Sequence, residues 1–183
     1  MGTIAVHEFV SLDGSYEDPS FTFEFGFDPQ MGETLAAITG AAKAILLGRN
    51  TFEMFAPAWS TRTAEDDPGA PFFNDTVKYV VGAREPQVEW ANSVSLSAYD
   101  PSRIRTLKDE TDGIIYISGS GTLVRALLAD GLVDDLHLFV YPIALGKGAK
   151  LFTDGVDTTT FVLKGHDVYA NGVVHLDYGP AGS

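Results

Sequence analysis

The sequence predicts an α/β fold built on a mostly parallel sheet. Nearly apolar segments of strand length alternate with segments whose apolar residues recur at helical spacing, which is typical of strand–helix–strand units. Three of the apolar segments end at a glycine that a polar or basic residue soon follows. Towards the end of the chain, Asn171-Gly172 separates two segments of strand character and indicates an antiparallel hairpin.

The first half of the chain predicts three strands and two helices around one long loop. The first strand ends at a turn that contains Asp13-Gly14. Residues 15–30, called the aromatic loop below, carry five Phe or Tyr residues and four carboxylates. A loop of this length in a compact domain is usually a lid or a binding loop. The predicted strands are residues 4–10, 44–47 and 78–81, the helices are residues 31–42 and 51–55, and residues 56–70 are expected to be exposed.

The second half continues the alternation and ends in the hairpin. The helix over residues 122–130 has an apolar face at helical spacing, and Gly131 ends it. Pro101 lies near the first turn of the helix before it, a position that proline favours. The predicted strands are residues 94–96, 114–117, 136–141, 161–168 and 173–178, and the helices are residues 102–110 and 122–130.

Composition limits the possible partners and chemistry. The 183 residues are expected to form one domain, 1–183, and the net charge of −13 disfavours nucleic acid and anionic membrane surfaces as partners. The absence of cysteine excludes disulfides and thiolate catalysis. No apolar run reaches the ~20 residues that span a bilayer, and the first residues do not resemble a signal peptide, so a cytoplasmic location is expected.

Three turns between a strand and a helix or loop, called the glycine corners below, could bind a dinucleotide. In parallel sheets, ligands bind beyond the carboxyl ends of the strands. Glycine allows the backbone to approach a phosphate closely, and a helix N-terminus presents free N–H groups to it. The residues of the corners that we expect to bind the cofactor are Gly48, Arg49 and Thr51; Gly82 and Arg84; and Gly119, Ser120, Gly121 and Thr122.

Two arginines at neighbouring corners suggest a cofactor with a terminal phosphate. Arg49 and Arg84 could bind that phosphate as bidentate donors, which favours NADPH, with NADH as the alternative. Each arginine also has a simpler explanation. Arg49 could cap a helix or lie on the surface, and Arg84 could form an exposed ion pair with Glu85.

Four motifs follow one another in a distinctive order: Ser11-Leu12-Asp13-Gly14, Gly48-Arg49-Asn50-Thr51, Gly119-Ser120-Gly121-Thr122 and Tyr141-Pro142-Ile143-Ala144-Leu145-Gly146-Lys147-Gly148. In this order they resemble the C-terminal reductase domain of the riboflavin-biosynthesis enzyme, a family that shares the dihydrofolate reductase fold. The resemblance covers residues 1–152, and residues 141–148 match the late segment of the family closely. It implies a mostly parallel sheet of about eight strands flanked by helices, NADPH held by the glycine corners, and a homodimer.

Reduction of a C=O or C=N bond also needs a proton donor. Asp13, Glu17 and Tyr141 are the candidates near the expected mouth of the site. Asp13 has a structural alternative, since an aspartate often hydrogen-bonds within its own turn. His7 is interpreted as a core residue, and the scattered histidines predict no metal site.

The sequence therefore predicts a reductase of a small heterocyclic or carbonyl substrate, with a pterin less favoured. The alternative is a protein of the same fold that binds a nucleotide or metabolite without turnover.

Overall fold

A computed structural model describes residues 1–155 and 157–181 of the chain. It contains eight strands: β1 Thr3–Ser11, β2 Ala42–Gly48, β3 Val77–Val81, β4 Ser93–Ser95, β5 Ile114–Ser118, β6 Asp135–Tyr141, β7 Phe161–Val168 and β8 Val174–Pro180. They form one sheet in the order β4-β3-β2-β5-β1-β6-β8-β7.

The sheet is parallel from β4 to β6 and antiparallel at its C-terminal edge. β8 pairs antiparallel with both β6 and β7. Gly172 in the connecting turn has φ +85°, a conformation that glycine adopts without strain. These pairings confirm the predicted sheet and its C-terminal hairpin.

Among the described residues, five α-helices cover the two faces of the sheet: α1 Pro29–Gly40, α2 Arg49–Trp59, α3 Ala70–Asp75, α4 Pro101–Glu110 and α5 Gly121–Ala129. Helices α1 to α3 pack with the cluster that contains Phe52 and Tyr141, called the α1 face below. Helices α4 and α5 pack with the cluster that contains Ile117 and Leu127 on the opposite face, called the α5 face below.

The aromatic loop is more ordered than its sequence indicates. It contains a 3-10 helix, Pro19–Phe25, and α1 then begins at Pro29 rather than at residue 31. The side chain of Asp28 accepts hydrogen bonds from the backbone N–H groups of Gln30 and Met31. This cap, followed by proline at the first helical position, sets the earlier start.

Helix α2 extends into the segment that was expected to be exposed. It continues through Pro57 to Trp59, so residues 56–59 are helical, although Pro57 and Ala58 are exposed as predicted. Ala56 is buried, and the ring of Trp59 stacks on Phe73 of α3 with 4.3 Å between ring centroids. Apolar packing between α2 and α3 therefore outweighs the weak helix propensity of proline.

Candidate active site

The carboxyl ends of β3, β2 and β5 lie side by side, and a glycine corner follows each of them. The corners after β2 and β5 contact each other directly. The backbone N–H of Gly48 donates a hydrogen bond of 2.9 Å to Oγ of Ser120. A Cβ atom built on Gly119 would lie 3.3 Å from Cγ2 of Thr51. The structure thus brings together the predicted cofactor-binding residues of these two corners.

The corner after β3, which contains Arg84, adjoins the corner after β2, and the carboxylate of Glu53 on α2 lies close to both arginines. A Cβ atom on Gly82 would lie only 2.7 Å from Cβ of Arg49. Nη1 of Arg49 donates a 2.7 Å hydrogen bond to Oε2 of Glu53. The backbone N–H of Gln87, then Arg49 and the charge of Arg84, hold the pKa of Glu53 below its ordinary value. A phosphate bound at this corner must therefore compete with the Glu53 carboxylate.

The helices that begin at the corners have uncapped N-termini. No described side chain caps the first turn of α2 or α5, whereas Asp28 caps α1 and Asp100 caps α4. Ser120 precedes α5 in the left-handed region, with φ 61°, and its hydroxyl bonds Gly48 instead of its own helix. The N–H groups of both helices are consequently available to an anion at this edge.

The aromatic loop covers part of the corner after β5. A Cβ atom on Gly121 would overlap the ring of Tyr16, so glycine is needed here for contact with the loop itself. The guanidinium carbon of Arg125 lies 5.9 Å from the centre of the same ring. Nη2 of Arg125 donates to Oγ1 of Thr122 at 3.1 Å. Access to this corner therefore depends on the position of Tyr16.

Asp13 joins the end of β1 to the segment after β6. Its carboxylate accepts hydrogen bonds from the Ser11 hydroxyl at 2.7 Å and from the backbone N–H groups of Leu145 at 3.0 Å and Gly146 at 2.9 Å. These bonds, in that order, lower the pKa of Asp13 well below its usual range. An ionised carboxylate holds no proton to donate, so the contacts support a structural role for Asp13.

The other two predicted proton donors lie in different surroundings. Glu17 is exposed, and its Oε2 accepts a hydrogen bond of 2.9 Å from the backbone N–H of Ala149. Tyr141 is 2% exposed and lies on the α1 face. Its hydroxyl is 3.9 Å from Sδ of Met31, and burial raises its pKa to about 12. Tyr141 thus keeps its proton in an almost entirely apolar environment.

Two titratable residues are buried in the middle of β1: His7, which the sequence analysis placed in the core, and Glu8, which it did not consider. His7 and Glu8 are 4% and 2% exposed, and each has a buried atom, Nε2 and Oε1, without a hydrogen-bond partner among the described residues. Burial lowers the pKa of His7 to about 3 and raises that of Glu8 to about 8. The available signal was a pair of titratable residues inside an otherwise apolar strand.

Over residues 1–155 and 157–181, no group of three or more His, Asp or Glu side chains could hold a metal ion. Within the same ranges, no helix is both long and apolar enough to span a bilayer.

The sheet order and the edge at which the corners lie define an α/β protein of the dihydrofolate reductase type. Dihydrofolate reductase from Enterococcus faecalis, a structure with bound NADP(H), has a TM-score of 0.63 at 14% identity, covering 98% of this chain and 97% of that one. The model of the RibD C-terminal domain family matches residues 3–175. The chain therefore belongs to the RibD C-terminal domain family.

Further relatives agree with this assignment. The uncharacterised protein YyaP of Bacillus subtilis is 23% identical over 173 residues, which are 92% of this chain and 90% of YyaP. The riboflavin biosynthesis protein RibD of Mycobacterium tuberculosis is 31% identical over 131 residues, 67% of this chain but 37% of RibD. A pyrimidine reductase-like protein from Corynebacterium diphtheriae has a TM-score of 0.64 at 16% identity, covering 99% of this chain and 92% of that one.

Proposed function

We propose that this protein is an oxidoreductase that uses NADPH to reduce a small heterocyclic or carbonyl compound. The observation that carries the proposal is the convergence of three glycine corners with two uncapped helix N-termini at one edge of the sheet. Membership of a family that includes reductase domains supports it. NADH is the alternative cofactor.

The residues at the corners have the chemistry that a dinucleotide needs. The first N–H groups of α2 and α5 would bind its phosphates, and the glycines at the corners would let them approach the backbone. Arg49 would bind a terminal phosphate by exchanging its bond to Glu53 for it, and the nearby charge of Arg84 would add to the attraction. When bound, NADPH supplies a hydride, while the protein supplies position and excludes water.

The three candidate proton donors, Asp13, Glu17 and Tyr141, lie in environments that support different roles. We propose that Tyr141, which retains its proton, donates a hydrogen bond to the substrate once the 3-10 helix moves aside. Asp13 and Glu17 would instead hold the turn after β1 against the segment that follows β6.

Gly121→Val is expected to abolish the binding of both NADPH and NADH. The new side chain must displace the Tyr16 ring and would then fill the space in front of the α5 N-terminus. Quenching of tryptophan fluorescence during cofactor titration measures the effect. Gly40→Ala is the matched control, since a Cβ atom there meets nothing within 4 Å. Unchanged cofactor affinity in Gly121→Val would show that the corner after β5 is not part of the site.

Arg49→Ala is expected to weaken the binding of NADPH about ten-fold or more and the binding of NADH much less. A charge-assisted bond to a phosphate is worth about 1.5–3 kcal/mol, and NADH lacks the terminal phosphate. Titration of both cofactors against Arg49→Ala and the exposed control Arg105→Ala gives the comparison. Equal losses for the two cofactors would contradict contact between Arg49 and the terminal phosphate.

A second candidate function is nucleotide or metabolite binding without turnover. Two observations favour it: the ionised Asp13 has no proton to donate, and the Tyr141 hydroxyl is buried. Measuring NADPH oxidation at 340 nm with carbonyl, quinone and pterin compounds separates the two functions. Tight cofactor binding with no oxidation across these compounds would support the non-catalytic function.

We also propose that the protein is a homodimer, as its family resemblance implies, and that it acts in the cytoplasm, as its composition suggests. Light scattering coupled to size-exclusion chromatography tests the dimer, for which a particle of about 39 kDa is expected from the 19.6 kDa chain. A mass near that of one chain would contradict it.

A further inference from the structure

Strand β4 forms one edge of the sheet, and its outer side has no neighbouring strand among the described residues. The backbone carbonyl of Asn92 accepts a hydrogen bond of 2.7 Å from β3, and the backbone N–H of Leu96 donates one of 2.8 Å to β3. Backbone groups alternate in direction along a strand, so those of Ser93 and Ser95 point away from β3. This edge therefore offers donors and acceptors to another extended segment.

A groove of about 580 Å³ lies beside this edge, on the α1 face of the sheet. Its floor consists of the buried apolar side chains of Phe52, Val80 and Trp90. Ser93 and Ser95 line the side of the groove that is formed by β4. A segment that pairs with the outer edge of β4 would thus place some of its side chains in the groove.

Two carboxylates lie at the exposed rim of the groove. Glu85 and Glu89 both line it and are both exposed, and neither forms an ion pair within the described part of the chain. Oε1 of Glu85 accepts a hydrogen bond of 3.1 Å from the hydroxyl of Ser95, so the rim is joined to the edge strand. The groove therefore combines an apolar floor with a negatively charged rim.

A long basic side chain matches both parts of this groove. Lysine and arginine combine an apolar stem, which suits the floor, with a cationic head, which suits the carboxylates. In a strand added beside β4, every second side chain would face the groove, on the side of Ser93 and Ser95. The side chains between them would lie on the opposite face beside Val94, which is 44% exposed. An apolar residue suits those positions.

We propose that the outer edge of β4 binds a basic extended segment of a partner protein as an added strand. The segment has Lys or Arg at alternate positions, which enter the groove, and an apolar residue between them beside Val94. Backbone hydrogen bonds to Ser93 and Ser95 supply affinity, and the groove selects the side chains. This interaction is separate from the proposed reductase function, and its test requires no NADPH.

The peptide acetyl-Lys-Val-Lys-Val-Lys-amide is the probe. Its matched control is acetyl-Val-Val-Lys-Lys-Lys-amide, which has the same composition and charge without the alternation. Each is titrated into the nitrogen-15-labelled full-length wild-type protein in about 0.15 M salt, which screens general attraction to the acidic chain. We expect the alternating peptide to bind about ten-fold more tightly than the control. We also expect it to shift the backbone amide signals of Ser93 and Ser95 and to slow their exchange with deuterium.

A proline substitution separates backbone pairing from other contacts. Ser95→Pro removes an outward N–H group and leaves the bonds between β4 and β3 in place, and the preceding Val94 is already extended, as proline requires. We expect it to weaken binding of the probe about ten-fold or more. Ser95→Ala, which loses only the hydroxyl, is the matched control and should bind within about three-fold of the wild type.

A charge variant tests the rim. Glu85→Gln combined with Glu89→Gln is expected to weaken the probe about ten-fold and to reduce the salt dependence of its binding. Glu110→Gln, on α4, is the matched control and should bind like the wild type.

Three results would overturn the inference. The first is equal affinity for the alternating peptide and its control, which would indicate attraction by charge alone. The second is unchanged signals of Ser93 and Ser95 when the probe is added to the wild type, a result that depends on no variant. The third is a change in those signals with protein concentration in the absence of peptide, which would show that the edge pairs with a second copy of this chain.

Discussion

Glu8→Gln is expected to remove a contribution to the free energy of unfolding that falls as the pH rises from about 5 to 8. Burial raises the pKa of Glu8 to about 8 in the folded state, against an ordinary value of 4.5. Between these two values the folded protein binds a proton that the unfolded chain does not, so stability falls with increasing pH. Each pKa unit corresponds to about 1.4 kcal/mol, and the expected loss is a few kcal/mol.

Urea denaturation at several pH values measures this effect. Glu8→Gln should match the wild type near pH 5 and exceed its free energy of unfolding at pH 8. Glu110→Gln, an exposed residue of α4, is the matched control and should follow the wild type at every pH. His7 gives the opposite trend between pH 3 and 6.5, because its folded pKa lies below the ordinary value. Parallel curves for wild type and Glu8→Gln would contradict the buried neutral carboxyl group.

Lys78→Ala is expected to destabilise the fold by about 3 kcal/mol or more. Lys78 is fully buried, and its Nζ donates to the backbone carbonyls of Phe73 at 2.7 Å, Thr76 at 2.8 Å and Asn74 at 3.3 Å. The ammonium group also lies 4.6 Å from the centre of the Trp90 ring. Truncation removes this cation–π contact, leaves buried carbonyls without their donor and opens a cavity.

The lysine connects the end of α3 to β3, which leads into the corner that carries Arg84. Lys78→Met, which keeps most of the volume, is expected to cost less than Lys78→Ala but still remove the donor to the carbonyls of Phe73 and Thr76. Chemical denaturation followed by circular dichroism gives the comparison. Lys147→Met is the exposed control, with an expected change within about 0.5 kcal/mol. A loss of only about 0.5 kcal/mol in Lys78→Ala would show that the buried ammonium group does not stabilise the fold.

Local patterns in the sequence were sufficient for most of the fold. The apolar runs at residues 44–47 and 114–117 are buried on both faces of the sheet, so periodicity and glycine positions identify them as central parallel strands. Asn171-Gly172 identified the hairpin for a similar local reason. The helix boundaries were less accurate, since the side chain of Asp28 and the packing of Trp59 on Phe73 set them.

The sequence also identified which residues could form the cofactor site, since the chain order of the glycine corners implies one sheet edge. It did not reveal what each side chain contacts. Arg49 is bound to Glu53, and the ring of Tyr16 covers Gly121. These contacts depend on side-chain direction at a crowded corner, which spacing along the chain does not determine.

The sequence by itself determined the fold class, the strands and the set of glycine corners, because hydrophobic periodicity and turn chemistry are properties of neighbouring residues. Only the tertiary structure decided what Asp13 and His7 contact. Asp13 is bound by backbone N–H groups more than 130 residues away, and His7 by a hydroxyl 109 residues away. Contacts between such distant groups form only when the strands lie side by side. The hydrogen bonds and the burial that result then set the pKa of each group, and so whether it carries a proton at neutral pH.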